Sequence, residues 1–558
     1  MNFIQRCSTA KLVWVMVVSV MAVSGCGGGG SGGAAVVTPP APNPGTGTTP
    51  TAPAWVAGQF PAEDSLKNFC AAPRTGIDPY SNQAFPDKTG TAAHEKMWLR
   101  SWSNRTYLWY RELSDLNPAS YTTPEYFSLL RTTAKTASGS DKDNFHFSEN
   151  TADYLQQTQA GVESGYGINW KFVETKPPRE VLIAYTEPTS PAVAQNLGRG
   201  AKLLEVDGVD FVNDNTQAGV DKINAGLFPE KAGESHQFTF VNPQGVRTTY
   251  TLISADIPTS AVQNVKVLNT PAGRVGYLQF NSHIANAQPQ LISAIDQFNS
   301  NNINELVVDL RYNGGGLLAL ASQFAYMVAG PNVIQGRTFE KTMFNDKYPT
   351  TDPVTGNTLQ AMPFYSRGID YQAGQFTSQN LPNVSLGRIF VLTTDNTCSA
   401  SEAFINGLRG VDMEVVLIGS TTCGKPYGFY PTDNCGTTYF TIQFSGVNAK
   451  GFGDFADGFK PTPAPQFTAD VKGCAVPDDL TKPLGDSNEQ MLSAALYYMS
   501  NNGCPVQSQT LASMLAESTK AAPRQDGLAI RSRDPRHEAV ILENKLHQQV
   551  LPLQSEQP

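Results

Sequence analysis

Three segments of the sequence combine residue types and spacings that could carry out nucleophilic chemistry. In residues 309–316 (DLRYNGGG), an apolar strand pattern runs into three glycines, with Gly315 in the middle. A turn of this kind brings backbone N–H groups close to a ligand, and a helix that begins there favours developing negative charge. By itself the pattern is also typical of a tight strand-to-helix turn.

The second segment, residues 398–402 (CSASE), places Ser399 at another strand-to-helix junction. A serine at a helix start is commonly an N-cap, and Glu402 three residues later would complete a capping box. The same placement exposes a hydroxyl above the carboxyl edge of the sheet, where the sites of α/β proteins lie. The two interpretations are compatible, and spacing alone does not separate them.

The third segment contains Lys425, which follows a second strand pattern. A serine hydroxyl becomes a nucleophile when a base lies within hydrogen-bond reach. A lysine can be that base only in its neutral form. Lowering its pKa from about 10.4 to near 7 corresponds to roughly 4–5 kcal/mol of differential interaction, which requires burial. We therefore expect Lys425 to be buried beside Ser399; on an exposed loop it would be a solvated charge.

All three segments lie between residues 259 and 505, where strand and helix patterns alternate. Alternation predicts βα units, and therefore an α/β core with a mixed, largely parallel sheet and flanking helices. The predicted strands are residues 274–280, 306–310, 388–394 and 414–419, and the predicted helices begin near residues 288, 317, 399 and 487.

The N-terminal half shows two different patterns. Residues 59–158 are predicted to form a helical region, because Met97, Trp98 and Trp102 belong to an aromatic stripe at helical spacing that we interpret as core. Residues 159–258 instead contain short strand patterns separated by turn signals, with two short helices among them.

Residues 190–211 (SPAVAQNLGRGAKLLEVDGVDF) resemble the centre of a PDZ domain, where a helix of small residues, a glycine turn and a strand ending in Asp-Gly follow one another. By that resemblance, the loop that binds a peptide C-terminus through backbone N–H groups consists of Gly165, Tyr166, Gly167 and Ile168. We therefore expect residues 159–258 to be an inserted PDZ-like β domain.

The order of these motifs over residues 160–470 resembles the C-terminal processing peptidases, also called tail-specific proteases. In that family the first serine of the SASE segment is the nucleophile and the lysine of the later Gly-Lys is the general base. The resemblance implies these roles for Ser399 and Lys425. It also implies that the N–H groups of Ala400 and Gly315 form the oxyanion hole.

The sequence departs from the family pattern at the third member of the site. Familiar members have a glutamine four residues after the lysine, where this chain has Phe429, and Gln443 and Asp433 are the remaining candidates. Related tricorn-type enzymes use a histidine at the position that Gln279 occupies here. Because His283 lies four residues later, it remains an alternative base.

The first residues carry the pattern of an exported lipoprotein. Residues 1–25 resemble a bacterial signal peptide, since Arg6 and Lys11 precede an apolar run that is too short to span a bilayer. The resemblance implies lipidation of Cys26. Because Gly27 and not an aspartate follows, it favours an anchor in the outer membrane, facing the periplasm or the cell surface.

Export implies an oxidising compartment, so the cysteines downstream of Cys26 are expected to form disulfides. Cys423 and Cys435 flank a predicted turn and would form a hairpin bridge, with Cys398 and Cys474 as competing partners. None of these cysteines lies in a C-x-x-C pair, so no metal site is predicted.

The remaining segments carry no pattern that predicts a catalytic or binding site. Residues 26–58 are predicted to be a flexible Gly/Pro/Thr linker, and residues 506–558 a polar C-terminal tail. The net charge of −9, without a basic tract, argues against nucleic acid as a partner.

The sequence thus predicts a serine endopeptidase that cleaves exported proteins or peptides with a free, unstructured C-terminus and needs no cofactor. The alternative is a catalytically weak or inactive peptide-binding scaffold of the cell envelope. An esterase acting on small molecules would have no use for a PDZ-like domain. The oligomeric state and the cleavage preference stay open.

Overall fold

The computed structural model describes residues 51–160, 162–506 and 527–531. The predicted signal peptide, Cys26 and most of the predicted linker lie outside the described residues, as does most of the tail. Among the residues described, no helix is both long enough and apolar enough to cross a membrane.

The N-terminal region, up to residue 160, combines helices with short strands. Its elements are α1 (Ala92–Thr106), α2 (Thr123–Leu129), α3 (Thr151–Ala160), β1 (Phe69–Cys70), β2 (Lys88–Thr89) and β3 (Phe147–Asn150). The predicted aromatic stripe is confirmed as core, because Met97, Trp98 and Trp102 on α1 are buried and pack in one cluster with Tyr126 and Phe127 of α2.

The prediction of a helical region over residues 59–158 holds only at these helices. α2 begins at a capping box formed by Thr122 and Glu125 and already ends at Leu129. Thr132 and Thr133 follow, and their β-branched side chains disfavour helix. Further along, β3 pairs with a strand of the core, which attaches the N-terminal region to it.

We call residues 162–258 the small-sheet region. Its elements are β4 (Val162–Gly165), β5 (Ile168–Glu174), β6 (Glu180–Thr186), α4 (Pro191–Ala194), β7 (Lys202–Val206), β8 (Val209–Asp210), α5 (Gln217–Leu227), β9 (Ser235–Val241), β10 (Arg247–Ile253) and β11 (Ala255–Pro258). The main sheet is antiparallel in the order β10-β9-β7-β6-β5, and β4 pairs with β11. Val220 and Ile223 of α5 close its own hydrophobic core against the sheet.

The remaining elements form the core region. They are β12 (Val262–Thr270), β13 (Gly273–Phe280), α6 (Ala287–Ser300), β14 (Glu305–Asp309), α7 (Leu318–Ala329), α8 (Pro331–Ile334), β15 (Thr338–Phe344), β16 (Met362–Pro363), β17 (Arg367–Asp370), β18 (Gln375–Asn380), β19 (Arg388–Thr393), α9 (Ala400–Gly410), β20 (Glu414–Gly419), β21 (Tyr427–Gly428), β22 (Thr432–Asn434), β23 (Thr437–Phe440), β24 (Phe444–Val447), β25 (Lys460–Thr462), β26 (Asp470–Ala475) and α10 (Gln490–Asn501).

The predicted α/β core with a largely parallel sheet is confirmed. The central sheet has the order β12-β13-β14-β19-β20-β26-β25, and β12 alone runs antiparallel to its neighbour. α6, α7 and α9 pack on one face, against side chains such as Leu278 and Val308. α10 packs on the other face, against Val275 and Val307. Strands buried on both faces explain the continuous apolar runs.

This topology brings the predicted motifs together. β14, β19 and β20 are adjacent and parallel, so their carboxyl ends lie at the same edge of the sheet. The glycine turn follows β14, Ser399 follows β19, and Lys425 follows β20. The carboxyl edge of a parallel sheet is where the sites of such proteins form.

Candidate active site

Ser399 lies immediately before α9, in a backbone conformation that residues other than glycine rarely adopt. Its φ is 53° and its ψ is −112°, and the residue is only 7% exposed. Holding a non-glycine residue in such a region costs on the order of 1–3 kcal/mol, and strain of this size is concentrated at functional sites. The structure therefore keeps Ser399 in a conformation that the helix itself does not need.

The glycine turn lies directly against this serine. A Cβ atom placed on Gly315 would come within 2.8 Å of the Ser399 Cβ and 3.0 Å of the Ala400 backbone nitrogen, and Gly315 itself has a φ of 112°. Both the close approach and the positive φ require glycine here. The glycine turn and the start of α9 are therefore in close contact.

Asn313 connects the glycine turn to its surroundings. Its Oδ1 accepts the N–H of Gly315 at 3.0 Å and contacts Nδ1 of His283 at 3.0 Å, and its backbone carbonyl accepts the N–H of Cys398. The Gly315 N–H is therefore already hydrogen-bonded in the free protein. Its use in an oxyanion hole, with the N–H of Ala400, stays a prediction.

Glu402 joins the serine segment to the lysine segment. It is fully buried, and its Oε2 accepts the N–H of Ser399 at 3.1 Å and the N–H of Lys425 at 2.8 Å. Its Oε1 accepts the Thr422 hydroxyl and the N–H of Gly424. Burial raises the pKa of Glu402 to about 7, against the opposing effect of these hydrogen bonds. One carboxyl group thus holds the backbones of both predicted catalytic residues.

Lys425 is buried among aromatic rings. The residue is 2% exposed, and its Nζ lies 4.3 Å from the ring centroid of Phe429 and 4.9 Å from that of Phe145. Aromatic faces attract an ammonium group, while burial disfavours its charge. The predicted burial of Lys425 is confirmed. Phe429, which replaces the expected glutamine, contributes one of the two faces.

The expected disulfides are present, but the predicted Cys423–Cys435 pairing is wrong. The bridges are Cys398–Cys423, Cys70–Cys435 and Cys474–Cys504. Cys423 lies beside the serine loop because its N–H donates to the carbonyl of Thr397 at 3.0 Å. The Cys398–Cys423 bridge, with 5.2 Å between its Cα atoms, therefore joins the residue before Ser399 to the loop that carries Lys425.

Two sulfur atoms of this bridge also lie near a carboxylate. Cys398, Glu402 and Cys423 offer ligand-type atoms within 4.8 Å of one another. Because the sulfurs are bonded to each other, they are not the thiolates that a metal ion would need. We therefore interpret these three residues as structural parts of the site.

The candidates for a third member lie in different surroundings. Gln443 is buried, and its Oε1 accepts the N–H of Tyr430 at 2.8 Å, while its Nε2 has no hydrogen-bond partner among the described residues. Asp433 is instead bound to Arg74 and Thr151. These bonds direct Asp433 toward the N-terminal region, and the identity of a third member stays a prediction.

The alternative base, His283, is buried beneath the glycine turn. Burial lowers its pKa to about 4, against the opposing effect of the bond to Asn313. Its backbone N–H donates to the carbonyl of Gly315, and its Nε2 has no partner within the part of the chain that the structure describes. A neutral imidazole is therefore close to the turn, and its pairing with Ser399 remains the alternative.

The predicted peptide-binding loop lies between β4 and β5 of the small-sheet region. Gly165 ends β4 and Ile168 begins β5. Tyr166 is buried, with its hydroxyl donating to the carbonyl of Gly226 at 3.0 Å, and Gly167 has a φ of 69°. The loop therefore lies beside the carboxyl-terminal end of α5, and its role in peptide binding stays a prediction.

Sequence reasoning missed two contributors to the site. The predicted capping contact of Glu402 with the N–H of Ser399 is confirmed, but its additional bonds to the N–H groups of Gly424 and Lys425 were not predicted. Phe145 comes from the N-terminal region, and no local pattern in the sequence connects it to Lys425. Both contributions depend on contacts between segments that are separated in the sequence, so no local pattern reveals them.

The sequence is similar to that of known peptidases. Residues 274–432 match the model of peptidase family S41. The chain is 23% identical over 274 residues to a carboxyl-terminal-processing protease of Picosynechococcus, which covers 49% of this chain and 56% of the relative. It is 28% identical over 153 residues to a candidate CtpA-like serine protease of Staphylococcus epidermidis, covering 27% of this chain and 26% of that protein.

A solved structure shows the same fold. A candidate S41 protease of Bacteroides fragilis matches with a TM-score of 0.54 and 24% identity over 73% of this chain and 97% of that chain. Residues 274–432 are thus similar to peptidase family S41, and the core region has the fold of an S41 protease. The chain spans about half the length of the first curated relative it matches.

Proposed function

We propose that the protein is a serine endopeptidase in which Ser399 is the nucleophile and Lys425 the general base. The observation that carries the proposal is the shared Glu402 Oε2, which binds the N–H groups of both residues. The backbones of a strained serine at a helix start and of a buried lysine are thereby held by the same carboxylate oxygen. Serine activation by a neighbouring base requires this proximity.

The proposed reaction proceeds through an acyl-enzyme. Neutral Lys425 Nζ takes the Ser399 hydroxyl proton while Oγ bonds to the substrate carbonyl carbon, and the resulting ammonium returns the proton to the leaving amine as the peptide bond breaks. Water then hydrolyses the acyl-enzyme by the same sequence of proton transfers. The N–H of Ala400, at the amino end of α9, is the proposed oxyanion donor together with the glycine turn.

The alternative base predicts a different proton path. In a Ser399–His283 pairing, the imidazole beneath the glycine turn would accept the hydroxyl proton. Its low pKa makes His283 neutral at pH 7 but also a weak base. Burial of Lys425 beside the segment that carries Ser399 favours the lysine.

The decisive experiment measures cleavage and its dependence on Ser399. Purified protein is incubated with an unfolded polypeptide, and the cuts are located by mass spectrometry. We expect internal cuts from the wild type and none from Ser399→Ala at equal concentration. If both proteins leave the polypeptide intact while they bind it, the inactive-scaffold alternative replaces the peptidase proposal.

We propose further that the small-sheet region is a PDZ-like domain that captures the C-terminus of exported substrates. The order of its elements and the positive φ of Gly167 in the loop between β4 and β5 support this assignment. Paired substrates with a free or an amidated C-terminus provide the test. A preference for the free carboxylate is expected, and equal cleavage would contradict terminal capture.

The location of the protein is also a proposal. We propose a lipid anchor at Cys26 in the outer membrane of the cell envelope, supported by the sequence pattern around that residue. Labelled palmitate should enter the wild type and not Cys26→Ser. Wild-type protein that takes up no label would contradict the anchor.

A further inference from the structure

Part of the C-terminal tail lies on the small-sheet region. The backbone N–H of Leu528 donates to Asn215 Oδ1 at 2.7 Å, and the Leu528 carbonyl accepts a hydrogen bond from the Arg179 guanidinium at 2.8 Å. Three residues later, the N–H of Arg531 donates to Asn224 Oδ1 at 2.8 Å. Residues 527–531 are therefore bound through their backbone at both ends.

The side chain between these two contacts is buried. Ile530 is 5% exposed and belongs to the hydrophobic core of the small-sheet region, together with Val220 and Ile223 of α5. Its N–H donates to the carbonyl of Thr175, the residue that follows β5, at 3.2 Å. Ala529, its neighbour, is exposed. The segment thus inserts one aliphatic side chain and shows the adjacent one to solvent, which is the pattern of an extended ligand beside a strand.

On the small-sheet region, Arg179 binds backbone carbonyl groups at the place where the tail lies. Arg179 is 1% exposed and donates to the carbonyls of Thr175, Phe211 and Asp214 in addition to that of Leu528. A buried guanidinium with several donors in a fixed fork holds its direction precisely enough to select an acceptor. The tail carbonyl therefore completes a set of hydrogen bonds that the domain has already arranged.

The direction of the segment relates it to the predicted peptide-binding loop. Asn215 lies just before α5 and Asn224 lies in its later part, so residues 528–531 run along α5 toward its carboxyl-terminal end. Tyr166 of the loop contacts Gly226 at that same end. The cleft between α5 and the end of β5 therefore leads from the tail contacts to the loop.

We infer that this cleft is a docking surface for an extended segment with one buried aliphatic side chain, and that residues 527–531 of the chain itself are its built-in occupant. The inference rests on the proposed role of the small-sheet region in peptide capture. A substrate that enters the same cleft must displace the tail. The tail is thus a competitor joined covalently to the domain that it occupies.

Covalent attachment makes this competition strong. A tethered segment faces its site at an effective concentration on the order of millimolar, so even a segment of modest affinity excludes a free peptide of the same sequence. Releasing the tail should therefore increase the affinity for added peptide by at least about tenfold.

Binding of a labelled tail peptide tests the inference. The probe is a fluorescein-labelled peptide with the sequence of residues 524–533 (RQDGLAIRSR). Its Kd is measured by anisotropy on full-length protein that carries Ser399→Ala, so that nothing is cleaved. Ile530→Asp in the tail should tighten probe binding at least tenfold. The matched control Ala529→Asp adds the same charge at the exposed neighbouring position and should leave the Kd as it was.

Two outcomes would overturn the inference. One is the same Kd for the Ser399→Ala protein and for its two derivatives that carry Ile530→Asp or Ala529→Asp. The other is no binding of the probe to any of these three proteins. Adding Asn224→Ala to Ile530→Asp should weaken binding of the probe again, because the acceptor for the N–H of the probe's Arg531 is lost. Unchanged binding in that double variant would place the probe at another surface.

Hydrogen exchange tests the same inference in a protein whose tail and cleft carry no substitution. This measurement still applies if Ile530→Asp disturbs folding. The amides of Leu528, Ile530 and Arg531 should be protected, and saturating unlabelled probe peptide should accelerate their exchange. Exchange that the peptide leaves unchanged would show that the two do not share a cleft. These readouts are independent of hydrolysis. Failure of the peptidase proposal would appear instead as absent cleavage by the wild type, whatever the binding result.

Discussion

Two basic side chains are buried at the carboxyl edge of the same sheet, and their contacts differ. Arg311 is 1% exposed and binds Asp309, Asp478 and Glu489 at 2.7–3.0 Å. Lys425 is 2% exposed and lies over the rings of Phe145 and Phe429. Three carboxylates contact the arginine, and two aromatic faces contact the lysine.

The carboxylates around Arg311 make it a permanent structural charge. Burial alone would lower the pKa of Arg311, but the facing carboxylates raise it well above its ordinary value, so the guanidinium keeps its charge. An ammonium over aromatic rings receives weaker stabilisation, and a lysine can shift its pKa readily when it is buried. Under the proposed mechanism, Lys425 exchanges a proton at the sheet edge that the arginine cluster maintains.

The largest effect is expected from changing Lys425. Lys425→Arg should reduce kcat/KM by at least about 10³-fold, as should Lys425→Ala, because arginine keeps the charge but cannot lose its proton. His283→Ala serves as the control and should retain most of the activity. Loss of activity in His283→Ala, with activity kept in Lys425→Ala, would move the base to the histidine.

Removing the other cation should affect stability instead. Arg311→Gln leaves buried carboxylates without their partner, which costs about 3–5 kcal/mol, so the midpoint of thermal unfolding should fall steeply. Arg388→Gln removes the half-buried pair with Glu305 and should cost about 1 kcal/mol or less. Similar losses in the two variants would contradict a special role for the Arg311 cluster.

The same cluster predicts a pH dependence. Burial would raise the pKa of Asp478, but Arg311 and Arg199 outweigh it and hold that pKa below the ordinary value. A carboxyl group with a lowered pKa in the folded state stabilises the fold above its unfolded pKa, and the stabilisation is lost as the pH falls through the folded value. Wild-type protein should therefore lose stability in acid, and Arg311→Gln should lose less over the same range.

An intermediate effect is expected from the Cys398–Cys423 bridge, which joins the segments of the two proposed catalytic residues. The double variant Cys398→Ser and Cys423→Ser should lower kcat about tenfold or more, because the loop of Lys425 is no longer tied to Ser399 and small misplacements are costly. The control double variant, Cys70→Ser and Cys435→Ser, opens a loop with a sequence separation of 365 residues and should lower thermal stability more than kcat. The reverse ranking would contradict the positioning role.

The sequence was sufficient for the features that depend on local pattern. Alternating strand and helix periods predicted the parallel core, and parallel neighbours β19 and β20 bring Ser399 and Lys425 to one edge. The partner of Cys423 could not be predicted in this way. The expected hairpin assumed local closure, but the backbone of Cys423 pairs with Thr397, and Cys435 instead meets Cys70 from the N-terminal region. Such contacts arise from packing of distant segments.

The smallest effect concerns Phe429, which stands where the resemblance predicted a glutamine. Phe429→Leu keeps an apolar side chain but removes the aromatic face 4.3 Å from Lys425 Nζ. A cation–π contact contributes about 0.5–2 kcal/mol to the charged form, so its loss should lower the pKa of Lys425 by roughly 0.4–1.5. Since the base must be neutral, the acid limb of the kcat/KM profile should shift to lower pH by that amount.

Two further variants distinguish this effect from simple loss of packing. Phe145→Leu removes the second face and should shift the acid limb in the same direction, although it lies in the N-terminal region. Phe440→Leu alters the same aromatic cluster, with its ring centroid 5.4 Å from that of Phe429, and should lower stability without moving the limb. A shift to higher pH in Phe429→Leu, or an equal shift in all three variants, would show that the rings do not set the proton affinity of Lys425. In that case the contrast with Arg311 would rest on burial alone.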